Sequence, residues 1–226
     1  MAYPRGILRG VSAASAKHPP LLGPAAFRAG AGLEPQQWFD VIAPPQSVVS
    51  AVAEFVPTHA RDLDLDELGA LADGVARLRR LWERLAVADQ TRRRYRLMYE
   101  DHRLDVWALS WMRGQGTGFH DHDLSRVGIA VGQGMMVERQ MLLPTGATRL
   151  ELRPGDVRRG PAGYIHSAAW GEGSPAVSIH CYSPPLLRVG QYAVDDHGIL
   201  RRRSVHGRQE LMDHTVGAAD PSRADG

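Results

Sequence analysis

The chain has 226 residues, 43% hydrophobic and 23% charged, ordinary values for one globular domain that buries its core without disulfides. A formal net charge of +2 excludes the dense basic face that nucleic acid requires, and the arginine runs at 92–94 and 201–203 read as solvated faces. The single cysteine, Cys181, excludes an intrachain disulfide and suits a reducing compartment, and no apolar run reaches the 18 residues of a membrane span.

Residues 1–33 hold no acidic residue, the first being Glu34, and are rich in Ala, Arg, Gly and Pro. They lack the compact apolar stretch of a signal peptide and read as a disordered extension, so a cytoplasmic location is expected. Residues 46–55 carry a short helical pattern that stops before Pro57. Over 64–87, Leu65, Leu68, Leu71, Val75, Leu78, Leu81 and Leu85 recur at three- and four-residue spacing, which predicts one long helix whose apolar face is core. From Tyr95 onward the rhythm changes. Strand-like runs at 105–111, 126–131, 135–141 and 176–182 alternate with Gly- and Pro-rich turns. That punctuation predicts an antiparallel sandwich or barrel. Residues 204–226 read as a disordered tail. The expected fold is mainly β, one domain over 34–203, with helices at about 46–88 layered on a small barrel that starts near 93.

Chemistry concentrates in three short segments of the barrel. His120 and His122 stand at i and i+2, so on a strand both imidazoles point to one face. His166 follows a turn containing Pro161 and Gly163, and a third ring arriving from a later strand can close one side of a metal's coordination sphere. Ser178, His180 and Tyr182 also alternate, so their side chains share a face and can form a hydrogen-bonded chain ending in a phenol.

The spacing of Gly114, His120, His122 and Gly134, then of Gly155, Pro161, Gly163 and His166, resembles the two cupin motifs. It implies a small antiparallel β-barrel or jelly roll. Val127 stands where the first motif places a glutamate, and Trp170 where the second places an asparagine. The departure at Val127 leaves a three-histidine site. That pattern, with the segment from Ser178 through His180 and Tyr182 to Pro185, resembles the cysteine dioxygenase (thiol dioxygenase) family over roughly residues 95–185. Gln133 and Gly134 fit the same resemblance. Animal members of the family carry a cysteine that crosslinks to the tyrosine; gapless counting puts Val127 there, and Cys181 falls on the opposite strand face from Tyr182. An arginine should hold the substrate carboxylate, with Arg96 the first candidate and Arg188 the second.

The resemblance implies one Fe2+ per chain held by His120, His122 and His166, with O2 and a small thiol, L-cysteine by default, as partners. Tyr182, His180 and Ser178 would be the catalytic chain, Arg96 and Tyr182 the substrate contacts, and the product a sulfinate. Three neutral imidazoles leave the ion its full charge, which favours an anionic sulfur ligand. No nucleic-acid or membrane partner is expected, and the chain is expected to be a monomer. Two other readings keep the same histidines: a cupin oxygenase or isomerase acting on a non-thiol substrate, and a non-catalytic cupin that binds a small molecule.

Overall fold

The computed structural model describes residues 43–143 and 146–207; the two terminal segments expected to be disordered lie outside them, save for residues 204–207. Among the described residues three helices come first: α1 (Gln46–Ala53), α2 (Leu65–Arg77) and α3 (Arg79–Trp82). Asp64 caps α2 by accepting from the backbone of Asp66 and Glu67, and the Glu67 side chain returns to the Asp64 N–H at 2.9 Å. The helix expected over 64–87 is broken. Leu78 leaves the helical region at φ −91° and ψ 71°, and Trp82 turns inward to donate to the Ala76 carbonyl at 3.0 Å. The leucine spacing continues through this break, so periodicity alone does not reveal it.

Nine strands follow among the described residues, β1 (Arg94–Glu100), β2 (Asp105–Trp111), β3 (His120–Asp121), β4 (Arg126–Leu142), β5 (Gly146–Leu152), β6 (Val157–Gly160), β7 (His166–Ser183), β8 (Arg188–Val194) and β9 (Leu200–His206). β9 therefore runs past position 203, the expected end of the domain. The ladder order is β1-β2-β7-β3-β8-β9, with β4 pairing β5, β6 and β7. All of these pairings are antiparallel. The runs expected at 126–131 and 135–141 are one strand, bent between Val131 and Met136 by successive register shifts against β7. Gly134 makes this bend possible: its φ is +73°, and a Cβ there would strike the Glu172 carbonyl.

Both faces of the central strands are buried, and alternation sorts them. Val106, Ala108, Val177, Ile179 and Cys181 join the helices in one core, packed with Leu68, Leu71, Val75 and Trp82. Gly128 lets α2 lie directly on β4, since a Cβ there would collide with the Leu68 backbone. Trp107, Leu109, Trp111, Val127, Ile129 and Tyr182 face the other way, into the barrel. β2 is buried along its whole length for this reason. The architecture is the double-stranded β-helix of the cupins with a helical layer on one side.

Candidate metal centre

β7 organises the site. A straight strand would carry its ends about 50 Å apart over sixteen residues, yet His166 at its start and Tyr182 near its end line one cavity. The bend opposite Gly134 is what returns them to each other. His120 pairs with His166 across β3 and β7, and with Gln191 on β8. His122 lies one residue past β3, where its carbonyl accepts from the Ser125 N–H at 2.9 Å.

β3 is only two residues long and is held by the side chain between the histidines. Asp121 accepts two hydrogen bonds from Arg202 at 2.7 and 2.8 Å, one from the Tyr192 hydroxyl at 2.6 Å and one from the Gly190 N–H at 3.2 Å. Burial pushes the Asp121 carboxyl up, but these donors, Arg202 first, hold it down at about 2. The clamp ties the His120–Asp121 segment to β8 and β9, and it frees the two neighbouring imidazoles to face the cavity.

His120, His122 and His166 are all buried, and the nitrogens they offer lie within 4.8 Å of one another. The Nε2 atoms of His122 and His166 are 3.4 Å apart, about the separation of two tetrahedral ligands on one ion. The Nδ1 of His120 meets the Gly118 carbonyl at 3.0 Å, which leaves its Nε2 lone pair for the centre. Burial, reinforced by the neighbouring His166, lowers the pKa of His120 to about 3 and that of His122 well below its ordinary value. Burial thus keeps His120 and His122 neutral, with lone pairs available to a cation at the point where the three rings converge. This donor set fits a metal ion. The metal-ligating group found among the described residues contains histidines alone; Val127, in the position of the cupin glutamate, is fully buried and pairs across the sheet with Tyr182.

Ser178, His180 and Tyr182 form a chain of hydrogen bonds, Ser178 Oγ to His180 Nε2 at 3.0 Å and His180 Nδ1 to Tyr182 Oη at 3.1 Å. Trp111, absent from the sequence-derived site, extends it: its indole N–H donates to Ser178 Oγ at 2.9 Å. That contact sets a direction. With the indole donating, the hydrogen-bond acceptor in reach of the serine hydrogen is His180 Nε2, so the imidazole proton sits on Nδ1 and is given to Tyr182. Burial keeps His180 well below its ordinary pKa and hence neutral. Tyr182 receives this hydrogen bond at the cavity wall. Its ring lies 4.9 Å from that of His122, centroid to centroid.

The cavity is small, about 20 Å³. Its walls are the histidines and Tyr182 with apolar groups such as Leu109, Ala168, Leu186 and Val189, and the buried Arg93. Arg93 stacks over the Trp111 ring with its guanidinium carbon 4.7 Å from the centroid. Neither arginine expected from sequence is part of this wall. Arg96 pairs with Ala108, whose side chain belongs to the helix-side core, and donates to the Tyr95 carbonyl at 3.2 Å. Arg188 is exposed and donates to Ser204 Oγ at 3.2 Å. Tyr95 and Leu97 face the barrel with Leu109 and Trp107, so an inward arginine at this end of β1 carries an odd number. That parity signal is present in the sequence and points to Arg93.

Glu138 is a further residue that the sequence reading does not find. It is 2% exposed and lies behind His166, on the side away from the cavity, with its Oε1 at 2.9 Å from His166 Nδ1. Cys181 is buried in the helix-side core, apart from Tyr182, and burial pushes its thiol pKa well up. Among the described residues no helix is long and apolar enough to cross a membrane.

Residues 40–160 match the family model described as cysteine dioxygenase type I. The match includes Arg93, His120, His122 and Glu138 and stops short of His166 and the Ser178–Tyr182 segment, which the fold itself brings to the site. No match was found among curated proteins. Among solved structures, the chain is similar to TT1209 from Thermus thermophilus, at 22% identity over 46% of this chain and 93% of that one, with a TM-score of 0.41. It is also similar to KdgF from Halomonas sp., at 21% identity over 42% and 81%, TM-score 0.37. A third is an uncharacterized conserved protein with a double-stranded beta-helix domain from Klebsiella pneumoniae subsp. pneumoniae MGH 78578, at 14% identity over 64% and 97%, TM-score 0.38.

Proposed function

Because the chain belongs to the cysteine dioxygenase type I family, we propose that it is a mononuclear iron thiol dioxygenase that converts a small carboxylate-bearing thiol, L-cysteine by default, to the sulfinate. The reaction, RSH + O2 giving RSO2H, places both oxygen atoms on sulfur and needs no outside reductant. The observation that carries the reading is the all-histidine triad facing a tyrosine hydroxyl and a buried arginine in one small cavity.

His120, His122 and His166 would hold the ion through Nε2. A ferrous ion there supplies a redox-active centre where thiolate and O2 can meet, and coordination lowers the thiol's pKa. The chain's own groups do the rest. Arg93 replaces Arg96 and Arg188 as the group that binds the substrate carboxylate, through charge-assisted hydrogen bonds in a site shielded from water. Tyr182 donates its hydroxyl hydrogen to the oxygen-bearing or carboxylate end of the bound reactants, held in that orientation by His180, Ser178 and Trp111. Leu109, Ala168, Leu186 and Val189 exclude water and limit the size of the substrate. No aspartate or glutamate lines the cavity among the described residues, so the carboxylate rather than an ammonium is the handle that the wall reads.

Oxygen uptake by the full-length protein, measured against a panel of thiols with sulfinate quantified, tests the proposal together with metal analysis of protein purified without added metal. Thiol-dependent uptake with matching sulfinate is expected, and His166→Ala should abolish both metal loading and product. Uptake only with non-thiol substrates would favour the general cupin oxygenase, and binding without turnover a non-catalytic cupin; either result refutes the thiol dioxygenase.

A further inference from the structure

Of the three imidazoles, His166 is anchored in a way the other two are not. His120 leans on a backbone carbonyl, and the Nδ1 of His122 is buried with no hydrogen-bond partner among the described residues. His166 instead meets a buried carboxylate that is itself fully engaged. Glu138 Oε1 accepts from His166 Nδ1 at 2.9 Å and from the Tyr164 hydroxyl at 3.1 Å, and Oε2 accepts from Arg158 Nε at 2.6 Å. Arg158 Nη2 also donates to Tyr164 Oη at 2.9 Å, which closes a ring of three side chains.

We propose that Glu138, neutralised by Arg158 and steered by Tyr164, is the positioning residue for the metal ligand His166: it fixes the proton on Nδ1, aims Nε2 at the ion and strengthens it as a donor. The proposal rests on reading the three histidines as a metal site, and it is independent of which substrate is oxidised. The reasoning is geometric. A lone carboxylate at 2% exposure would be costly to bury. Here its charge is matched by a guanidinium whose side chain, at 26% exposure, still reaches solvent. The carboxylate touches Nδ1, not the face where the three rings converge, so it adds no ligand to the ion. The ring uses three elements: Glu138 from β4, Arg158 from β6 and Tyr164 from the turn that delivers His166 to β7. The turn and the tautomer of the ligand it carries are thus fixed by the same carboxylate.

Two measurements on the full-length protein test this. Long-range 1H–15N spectra of the metal-free, histidine-labelled chain should show His166 as the Nδ1–H tautomer, a readout that a merely structural role for Glu138 would leave free. Ferrous-ion affinity, measured without oxygen by competition with a chelator, should fall about 10- to 100-fold in Glu138→Leu, with the tautomer lost. Should Glu138→Leu fail to fold, Glu138→Gln still decides, being close in shape but uncharged and able to satisfy His166 or Arg158 but not both; its affinity should fall several-fold. Wild-type His166 protonated on Nε2, or Glu138→Gln binding Fe2+ as tightly as wild type, would overturn the proposal alone. A wild-type chain that binds no Fe2+ would overturn it along with the metal centre itself.

Discussion

Replacing Arg93 by glutamine removes the guanidinium from the cavity wall and leaves a shorter, uncharged side chain. The arginine is 2% exposed, with its guanidinium carbon over the Trp111 ring, so a carboxylate bound there would be shielded from water and from screening salt. A hydrogen bond to a charged group contributes about 1.5–3 kcal/mol, and about 1.4 kcal/mol is tenfold in affinity. Loss of one such bond should therefore raise KM for a carboxylate-bearing thiol by roughly 10- to 150-fold. Cysteamine, which has no carboxylate, should be nearly indifferent to the change. The cation–π contact with Trp111 is lost as well, worth about 0.5–2 kcal/mol of stability, so unfolding in urea should be checked in parallel. Saturation kinetics of oxygen uptake with both thiols, for Arg93→Gln, Arg96→Gln and Arg188→Gln, make the assay. An unchanged KM in Arg93→Gln, or a large rise in Arg96→Gln, would refute the assignment, because Arg96 shares its strand face with the helix-side core.

Tyr182→Phe should retain bound iron, since the phenol is not among the converging ligands, and lower kcat by about 10²–10³-fold, the usual loss of one preoriented donor; loss of iron would show the hydroxyl to be structural. Trp111→Phe removes the donor that sets the direction of the Ser178–His180 bond and should lower kcat by a smaller factor with KM little changed, measured on the same uptake assay. Arg202→Gln opens the clamp on Asp121: with Arg202 partly exposed, a loss of about 1–3 kcal/mol is expected in urea denaturation, together with weaker metal binding by the loosened His120 and His122. The metal-free chain should lose stability in acid. His120 titrates near 6.5 when unfolded and about 3 when folded, so the unfolded state binds the extra proton between those values. Stability is then full above about pH 6.5 and falls toward pH 3, by up to about 1.4 kcal/mol per pH unit for this group, with His122 and His180 steepening the fall. A flat denaturation midpoint from about pH 7 to 4 would contradict it.

The parts of the site legible in the sequence are those whose chemistry is written in adjacent letters. His120 with His122, the turn before His166, and the alternation of Ser178, His180 and Tyr182 each show their shared face through a two-residue period. The run at 105–111 is found as β2, whereas those at 126–131 and 135–141 are parts of one longer strand and that at 176–182 is only the end of β7. Contacts made across the fold are not. Trp111 reaches Ser178 over 67 residues and Glu138 reaches His166 over 28, and no local pattern links either pair, although a glutamate at the inward parity of Met136 is an anomaly that invites a partner. The arginine is a matter of register: a tract of arginines at 92–94 hides which one turns inward until Tyr95 and Leu97 are matched to Leu109 and Trp107. Helix length is overestimated from sequence because the break at Leu78 interrupts the backbone without interrupting the leucines.

One strand holds a ligand at its first residue and the tyrosine chain near its last. Inserting or deleting a single residue anywhere along it would rotate one group away while leaving the other in place, and both are needed together. Drift in this lineage should therefore concentrate in what surrounds that ribbon, on the arginine-bearing approach to β1 and on the segment from Leu186 to Val189. Relatives that accept different thiols are expected to differ there first, with the spacing from His166 to Tyr182 left untouched.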